Sequence, residues 1–282
     1  MEITDRNLDK FKQWLLERGR SEGTADAYAT SLHSCAADTS GLTHRLVAGK
    51  LAPNSLRANL AALRSWAVFT EDAKMSKRLS DIRLPPARRI HTKQPLSTGV
   101  LRALIRHLKS CKLNDEAMRQ VLLIMAIRGF RSGDVLRLKR TEVVRAISTG
   151  KLVYEGKGRK RIEFSAEPFL PQLKALAKME DWDRVRDLIS DSDDPKVASV
   201  RVWRTARRLG SQLGIADMNP HRFRHTFATR YLEQLRGDPN AIIKLQKFMG
   251  WESMATASRY VDAVSQDELD AIGVGLVSGL LE

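Results

Sequence analysis

Twelve residues, Asn219 to Arg230, read NPHRFRHTFATR: two histidines and three arginines set around two phenylalanines. Asn219 is a good helix cap and Pro220 suits a first helical position. His221 and Arg224 then fall three apart, on one helical face. Phe223, Phe227 and Tyr231 lie four apart and form the expected buried face. A cation and an imidazole at a helix N-terminus suit an anion such as phosphate, because that end carries partial positive charge and unpaired N–H groups. Taken alone, the stretch is equally an ordinary surface histidine and arginine.

Three remote segments offer matching chemistry. In RGFRSGDVLRL, Gly129 ends one helix, Ser132 or Asp134 begins the next, and Arg131 stands at the break. Arginine is the side chain for two-pronged contact with a phosphate. Arg128 is the competing arginine, and the Gly-x-Arg spacing favours Arg131. In EGKGRKR, Gly156 and Gly158 permit a tight turn with Lys157 at its tip, where a lysine can hand a proton to a leaving oxygen. In KFMGWESMATASRYVD, Gly250 ends a helix and Ser253 caps another that carries Tyr260. Trp251 lies between them with an indole N–H to donate. His107 and Cys111 are four apart on a helix but lack further ligands, so no metal is expected.

These residues need a mainly helical frame. Helices are expected over 115–128, 132–140, 167–180, 196–213, 220–236, 240–249 and 254–262. KLVYEGKGRKRIEF alternates and carries the glycine turn, so it reads as a β-hairpin. Ahead of these, ITDRNLDKFKQWLLERG has Thr4 as cap, Leu8, Phe11 and Leu15 on one face, and Gly19 as a stop. PNSLRANLAALRSWAVF turns Leu56, Leu60, Leu63 and Ala67 inward, with Arg57 and Arg64 on another face. LPPARRIHTKQPLS is rich in proline and base and reads as an extended linker.

The chain has 282 residues, 43% hydrophobic and 29% charged, the composition of a soluble globular protein. No apolar run approaches the roughly 20 residues that span a bilayer, and MEITDRNLDKFKQW lacks the apolar core of a signal peptide. Two cysteines, Cys35 and Cys111, make no disulfide framework, so a reducing, cytoplasmic compartment is expected. The net charge of +15 favours a polyanionic partner, a property shared by ribosomal, membrane-surface and nucleic-acid proteins. Residues 41–90 hold ten bases against three acids, whereas residues 261–282 hold five acids and no base.

The order Gly-Phe-Arg, Gly-Lys-Gly, His-x-x-Arg-His-Thr-Phe-Ala-Thr, Gly-Trp, Tyr resembles that of the tyrosine recombinase, or phage integrase, family. The likeness spans essentially the whole chain and is strongest from Gly129 to Asp262. It implies a mainly α fold: a helical core-binding domain over 1–86, a linker over 87–95 and a mixed α+β catalytic domain with a small hairpin over 96–262. A tail helix over 263–282 would dock on a neighbouring protomer, and the two domains would form a C-shaped clamp on DNA. The catalytic set would be Arg131, Lys157, His221, Arg224, Trp251 and Tyr260. Asp134 would replace the family's usual glutamate as a support, and His225 would be a second support. Arg57, Arg64, Arg88 and Arg89 are candidates for DNA contact.

The implied reaction is transesterification, in which Tyr260 attacks a DNA phosphodiester and expels a 5′-hydroxyl. Bond energy is conserved, so no cofactor or metal is called for. The implied partner is double-stranded DNA with short inverted repeats, bound by a homotetramer in a nucleoid-associated setting. Type IB topoisomerases and telomere resolvases share this chemistry. A non-catalytic relative would keep the fold alone, and an RNA-binding protein would explain the charge without the motif order.

Overall fold

The computed structural model describes residues 2–35, 53–84, 95–110, 115–156, 161–251 and 254–258. Expectations resting on Arg88, Arg89, Lys157, Tyr260 and the tail over 263–282 therefore lie outside the described residues. The chain divides into two compact units, residues 1–91 and 92–282, with the break inside the stretch expected to be a linker.

In the first unit, α1 (Asp5–Glu17), α2 (Glu22–Cys35), α3 (Pro53–Phe69) and α4 (Ala73–Ser80) surround a small core. Thr4 Oγ1 accepts from the Asn7 N–H, and Gly19 turns the chain at a φ of 73°. The inward residues are those that the helical period selects: Leu8, Phe11 and Leu15 from α1, and Leu56, Leu60, Leu63 and Ala67 from α3. Phe11 meets Trp66 edge-on at 5.2 Å, and Trp14 and Phe69 complete an aromatic cluster. Arg64 reaches down to α4, where its Nη2 donates to the Leu79 carbonyl at 2.9 Å. Its guanidinium thus satisfies a helix-end carbonyl as well as offering charge to the surface.

The second unit is built round α6 (Glu116–Arg128), which is buried on almost every side, with α5 (Thr98–Ser110), α9 (Leu170–Ala177) and α11 (Pro220–Gln234) packed against it. A helix apolar all round belongs at the centre of a domain. Asp115 caps α6, and Gly129 ends it in the left-handed conformation (φ 69°), where its N–H donates to the Met125 carbonyl. A short helix, α7 (Ser132–Arg137), follows, then α8 (Arg140–Thr149).

This pair corrects the expected single helix over 132–140. Leu138 and Lys139 turn extended, and the backbone here pairs with residues 183–186. The Arg140 N–H donates to Asp183 and the Val185 N–H to Leu138, at 2.8 and 3.0 Å. A pairing made across more than forty residues of chain overrides the local helical preference.

The hairpin forms as expected from β1 (Lys151–Glu155) and β2 (Arg161–Ser165), with Leu152 opposite Phe164 and Tyr154 opposite Ile162. Leu152 and Tyr154 face the core, while Arg161 and Glu163 face outward. The helix expected over 167–180 is instead a 3-10 turn (Glu167–Phe169) running into α9, which ends at Ala177. The chain continues through α10 (Pro195–Gln212), α11, α12 (Ala241–Met249) and α13 (Met254–Ser258). No helix among the described residues is long and apolar enough to cross a membrane.

Candidate active site

Arg131 stands at the α6–α7 break, held by two local rules. Gly129 reverses the chain after α6, and Arg131 itself is the extended residue that starts α7. Asp134, only 1% exposed, lies within 3.5 Å of the Arg131 guanidinium and accepts a 2.6 Å bond from Arg137. A buried carboxylate between two arginines is compensated, and it aims Arg131 without consuming its fork.

α11 opens as its sequence requires: the Asn219 side chain accepts from the His221 N–H at 3.0 Å, with Pro220 at the first position. His221 is exposed at this end. Partial burial first, and then the charges of Arg224 and Arg131, hold its imidazole below the usual histidine value of 6.5. His221 thus feels the charges of both Arg224 and Arg131.

Arg224 is buried rather than displayed. Its Nη1 donates to the Gly129 carbonyl at 3.0 Å and its Nη2 to the Met249 carbonyl at 2.7 Å. Both acceptors lie at helix C-termini, the negative ends of α6 and α12, which offset a buried cation. Trp251 is also buried, with its ring 5.4 Å from the Arg224 guanidinium. Gly250, left-handed at a φ of 64°, ends α12 and delivers Trp251 to this place.

The expected stripe of Phe223, Phe227 and Tyr231 is shared between two cores. Phe223 enters the main core, while the half-buried Phe227 and Tyr231 stack on Phe248 at 5.7 and 4.3 Å. His225 is on the buried side of α11, with Nδ1 3.5 Å from Thr229 Oγ1. Arg222 and Arg230 bond the Ala216 carbonyl and Thr98 Oγ1, so both tie α11 to its surroundings.

The structure therefore gathers Arg131, Asp134, His221, Arg224 and Trp251. Lys157 follows Gly156 just beyond β1, and Tyr260 follows α13 by two residues, both outside the described residues. Among the described residues no group of three or more metal-ligating side chains assembles. Tyr154, buried behind the arginines, has its phenol pushed far above the ordinary tyrosine range, first by burial and then by the Asp134 charge.

Two features escaped the sequence reading. Arg128 turns inward, away from the role in which it competed with Arg131. On α10, Trp203 is 44% exposed with Arg207 over its ring at 5.0 Å, and Arg204 and Arg208 are exposed beside them. An exposed tryptophan in a helix of arginines was the available signal.

Comparison with known proteins gives the family and the fold. The model of the phage integrase family matches residues 95–267. Tyrosine recombinase XerA of Pyrococcus furiosus is 24% identical over 277 residues, covering 94% of this chain and 92% of its own. Tyrosine recombinase XerC of Bradyrhizobium diazoefficiens is 27% identical over 307 residues, covering 93% and 91%. Two solved structures share the fold at 17% identity. The site-specific recombinase XerH bound to palindromic difH substrate has a TM-score of 0.62, over 91% of this chain and 81% of that one. A lambda integrase dimer bound to a COC′ core site has a TM-score of 0.63, over 90% and 75%.

Proposed function

The chain belongs to the phage integrase family, and from that premise we propose that it is a tyrosine-type site-specific recombinase, acting on double-stranded DNA through a 3′-phosphotyrosyl intermediate. The observation that carries the reading is the meeting of Arg131, His221, Arg224 and Trp251 around two glycine-ended helices.

The Tyr260 oxygen bonds to the scissile phosphorus while the bond to the 5′-oxygen breaks. The tyrosine proton passes to His221 or to solvent, and Lys157 returns a proton to the departing 5′-oxygen. One phosphoester replaces another, so the reverse step rejoins the strand without an energy source. Arg131 and Arg224 neutralise the charge that gathers on the phosphoryl oxygens, with the Trp251 N–H as a neutral donor. Tyrosine has a reference pKa of about 10, so it requires this assistance near neutrality.

The held-down imidazole has a consequence for pH. Neutral His221 is the form that accepts a proton, and its pKa in the free protein lies below 6.5. The acid limb of cleavage, measured at subsaturating DNA, is therefore expected below pH 6.5. His221→Ala should flatten that limb, and a limb at or above 6.5 would contradict the role. The stability term has the same sign. The unfolded chain takes up this proton first, so stability falls as pH drops below 6.5.

Short inverted repeats bound by four protomers, with the acidic residues 263–282 docking on a neighbour, complete the proposal. It places the protein in the cytoplasm, on the nucleoid. Arg57, Arg64, Arg88 and Arg89 join the α10 face as contacts for the DNA backbone. Arg207→Ala is expected to weaken binding about equally on all duplexes. It should also lower the slope of log K against log salt by about 1, as loss of one phosphate contact does. An unchanged slope in a salt titration by fluorescence anisotropy would remove Arg207 from the interface.

The direct test is covalent capture. A duplex selected by the protein from a random library, nicked so that the cleaved end diffuses away, should trap an adduct that survives denaturation. Mass mapping should place it on the peptide containing Tyr260. No adduct would refute the recombinase reading, and an adduct on another residue would refute the assignment of the nucleophile.

A further inference from the structure

Arg128 follows the apolar run VLLIMAI of α6, buried from Val121 to Ala126, and stands three residues before Arg131. It is 8% exposed. Its guanidinium lies over the Phe248 ring at 3.6 Å and over Phe164 at 4.5 Å, with Phe227 at 5.4 Å. Its Nη2 donates to the Phe248 carbonyl at 3.1 Å. Ring faces and a carbonyl, rather than a carboxylate among the described residues, meet this buried charge. Burial lowers its pKa to about 10, which leaves it a cation at neutral pH.

The three rings come from three different elements. Phe164 is on β2, which begins four residues after Lys157 in the chain. Phe227 is on α11, one turn beyond Arg224. Phe248 is on α12, which ends at Gly250 and Trp251. Close contacts also join these elements to one another. A Cβ at Gly250 would come within 3.0 Å of Ile162 on β2, and one at Gly129 within 2.6 Å of Phe227. Phe227 and Phe248 stack with their planes 4° apart. The hairpin meets α12 across a narrow gap lined by Ile162 and Phe164 on one side and Phe248 and Met249 on the other, and the Arg128 guanidinium touches both sides.

We infer that Arg128 is a positioning residue that sets the hairpin against the Arg224–Trp251 corner and thereby fixes where Lys157 delivers its proton. A planar cation is suited to this place because it attracts ring faces and bonds a carbonyl at once. A neutral side chain of similar length fills the space but does neither. The inference rests on the recombinase reading and on Lys157 as general acid.

A substrate with sulfur in place of the bridging 5′-oxygen separates positioning from general damage, because a thiolate leaves without a proton. Arg128→Met is expected to slow single-turnover cleavage of the ordinary duplex by about 30-fold, part of the 10²–10⁴ typical of general acid catalysis. On the phosphorothiolate duplex it should cleave within about threefold of wild type, as expected when leaving-group protonation is bypassed. Phe164→Leu, which removes the ring on the hairpin side, should show the same split and covers the case in which Arg128→Met does not fold. Equal slowing on both duplexes, or wild-type rates on both, would overturn the inference. Failure of the wild-type protein to form an adduct on either duplex would instead sink the recombinase reading.

Discussion

Arg224→Lys is expected to lower strand cleavage by about 10³-fold or more, the range measured for arginines that stabilise phosphoryl transfer, while the protein remains folded. The reason lies in what the guanidinium does before DNA arrives. It spans the Gly129 and Met249 carbonyls, 3.0 and 2.7 Å away, and holds the ends of α6 and α12 at a fixed separation. A lysine ammonium is one point charge on a flexible stem and cannot bridge both while facing a phosphate. Lysine keeps the charge, so the loss isolates geometry. Alanine would strand two buried carbonyls at about 1–3 kcal/mol each and confound folding with chemistry. Single-turnover cleavage beside thermal unfolding makes the measurement. A rate within tenfold of wild type would show that Arg224 is a structural tie only.

The second large effect falls on stability. Gly129→Ala is expected to cost about 2–5 kcal/mol: about 1–2 for an L-residue in left-handed backbone and about 1–3 for overlap in a packed interior. Gly129 has a φ of 69°, and the added Cβ would sit 2.6 Å from Phe227 Cβ. Phe227 cannot yield, since its ring lies in the stack that faces Arg128 and Phe248. Gly150 is the control. It has nearly the same φ, 70°, but nothing within 4 Å of its would-be Cβ, so Gly150→Ala should lose only the backbone share. Denaturant midpoints of the two variants should differ by the overlap. Equal midpoints would mean that the α6–α11 contact relaxes freely. Gly129→Ala should also slow cleavage, because the Gly129 carbonyl is one of the two that orient Arg224.

What could be read from residue order divides along a physical line. Local devices were legible: the Asn219 cap, the glycine stops at 129 and 250, and the alternation that made 151–155 and 161–165 a hairpin. Each depends on neighbours within a few positions. Long-range pairing was not legible. The break between α7 and α8 depends on residues 183–186, which nothing near Leu138 announces. The place of Arg128 depends on rings at 164, 227 and 248. The resemblance supplied the site residues that spacing alone left as surface charges. For Arg131, His221, Arg224 and Trp251 the fold supplies a common neighbourhood. It also makes Arg224 and Trp251 interior residues, which a reading of exposed helix faces did not anticipate.

Asp134 is shared: Arg137 bonds one carboxylate oxygen while Arg131 stands 3.5 Å from the other. In the proposed reaction this makes the carboxylate a resting berth. Arg131 can leave it for an incoming phosphate without abandoning a lone anion in the interior, because Arg137 stays behind. It can return once the strand is sealed. Cutting and joining each replace one phosphodiester by another beneath the same arginines, so in the proposed reaction the pocket has no built-in preference between them. The direction of recombination would then be dictated by how the DNA strands are arranged outside the pocket.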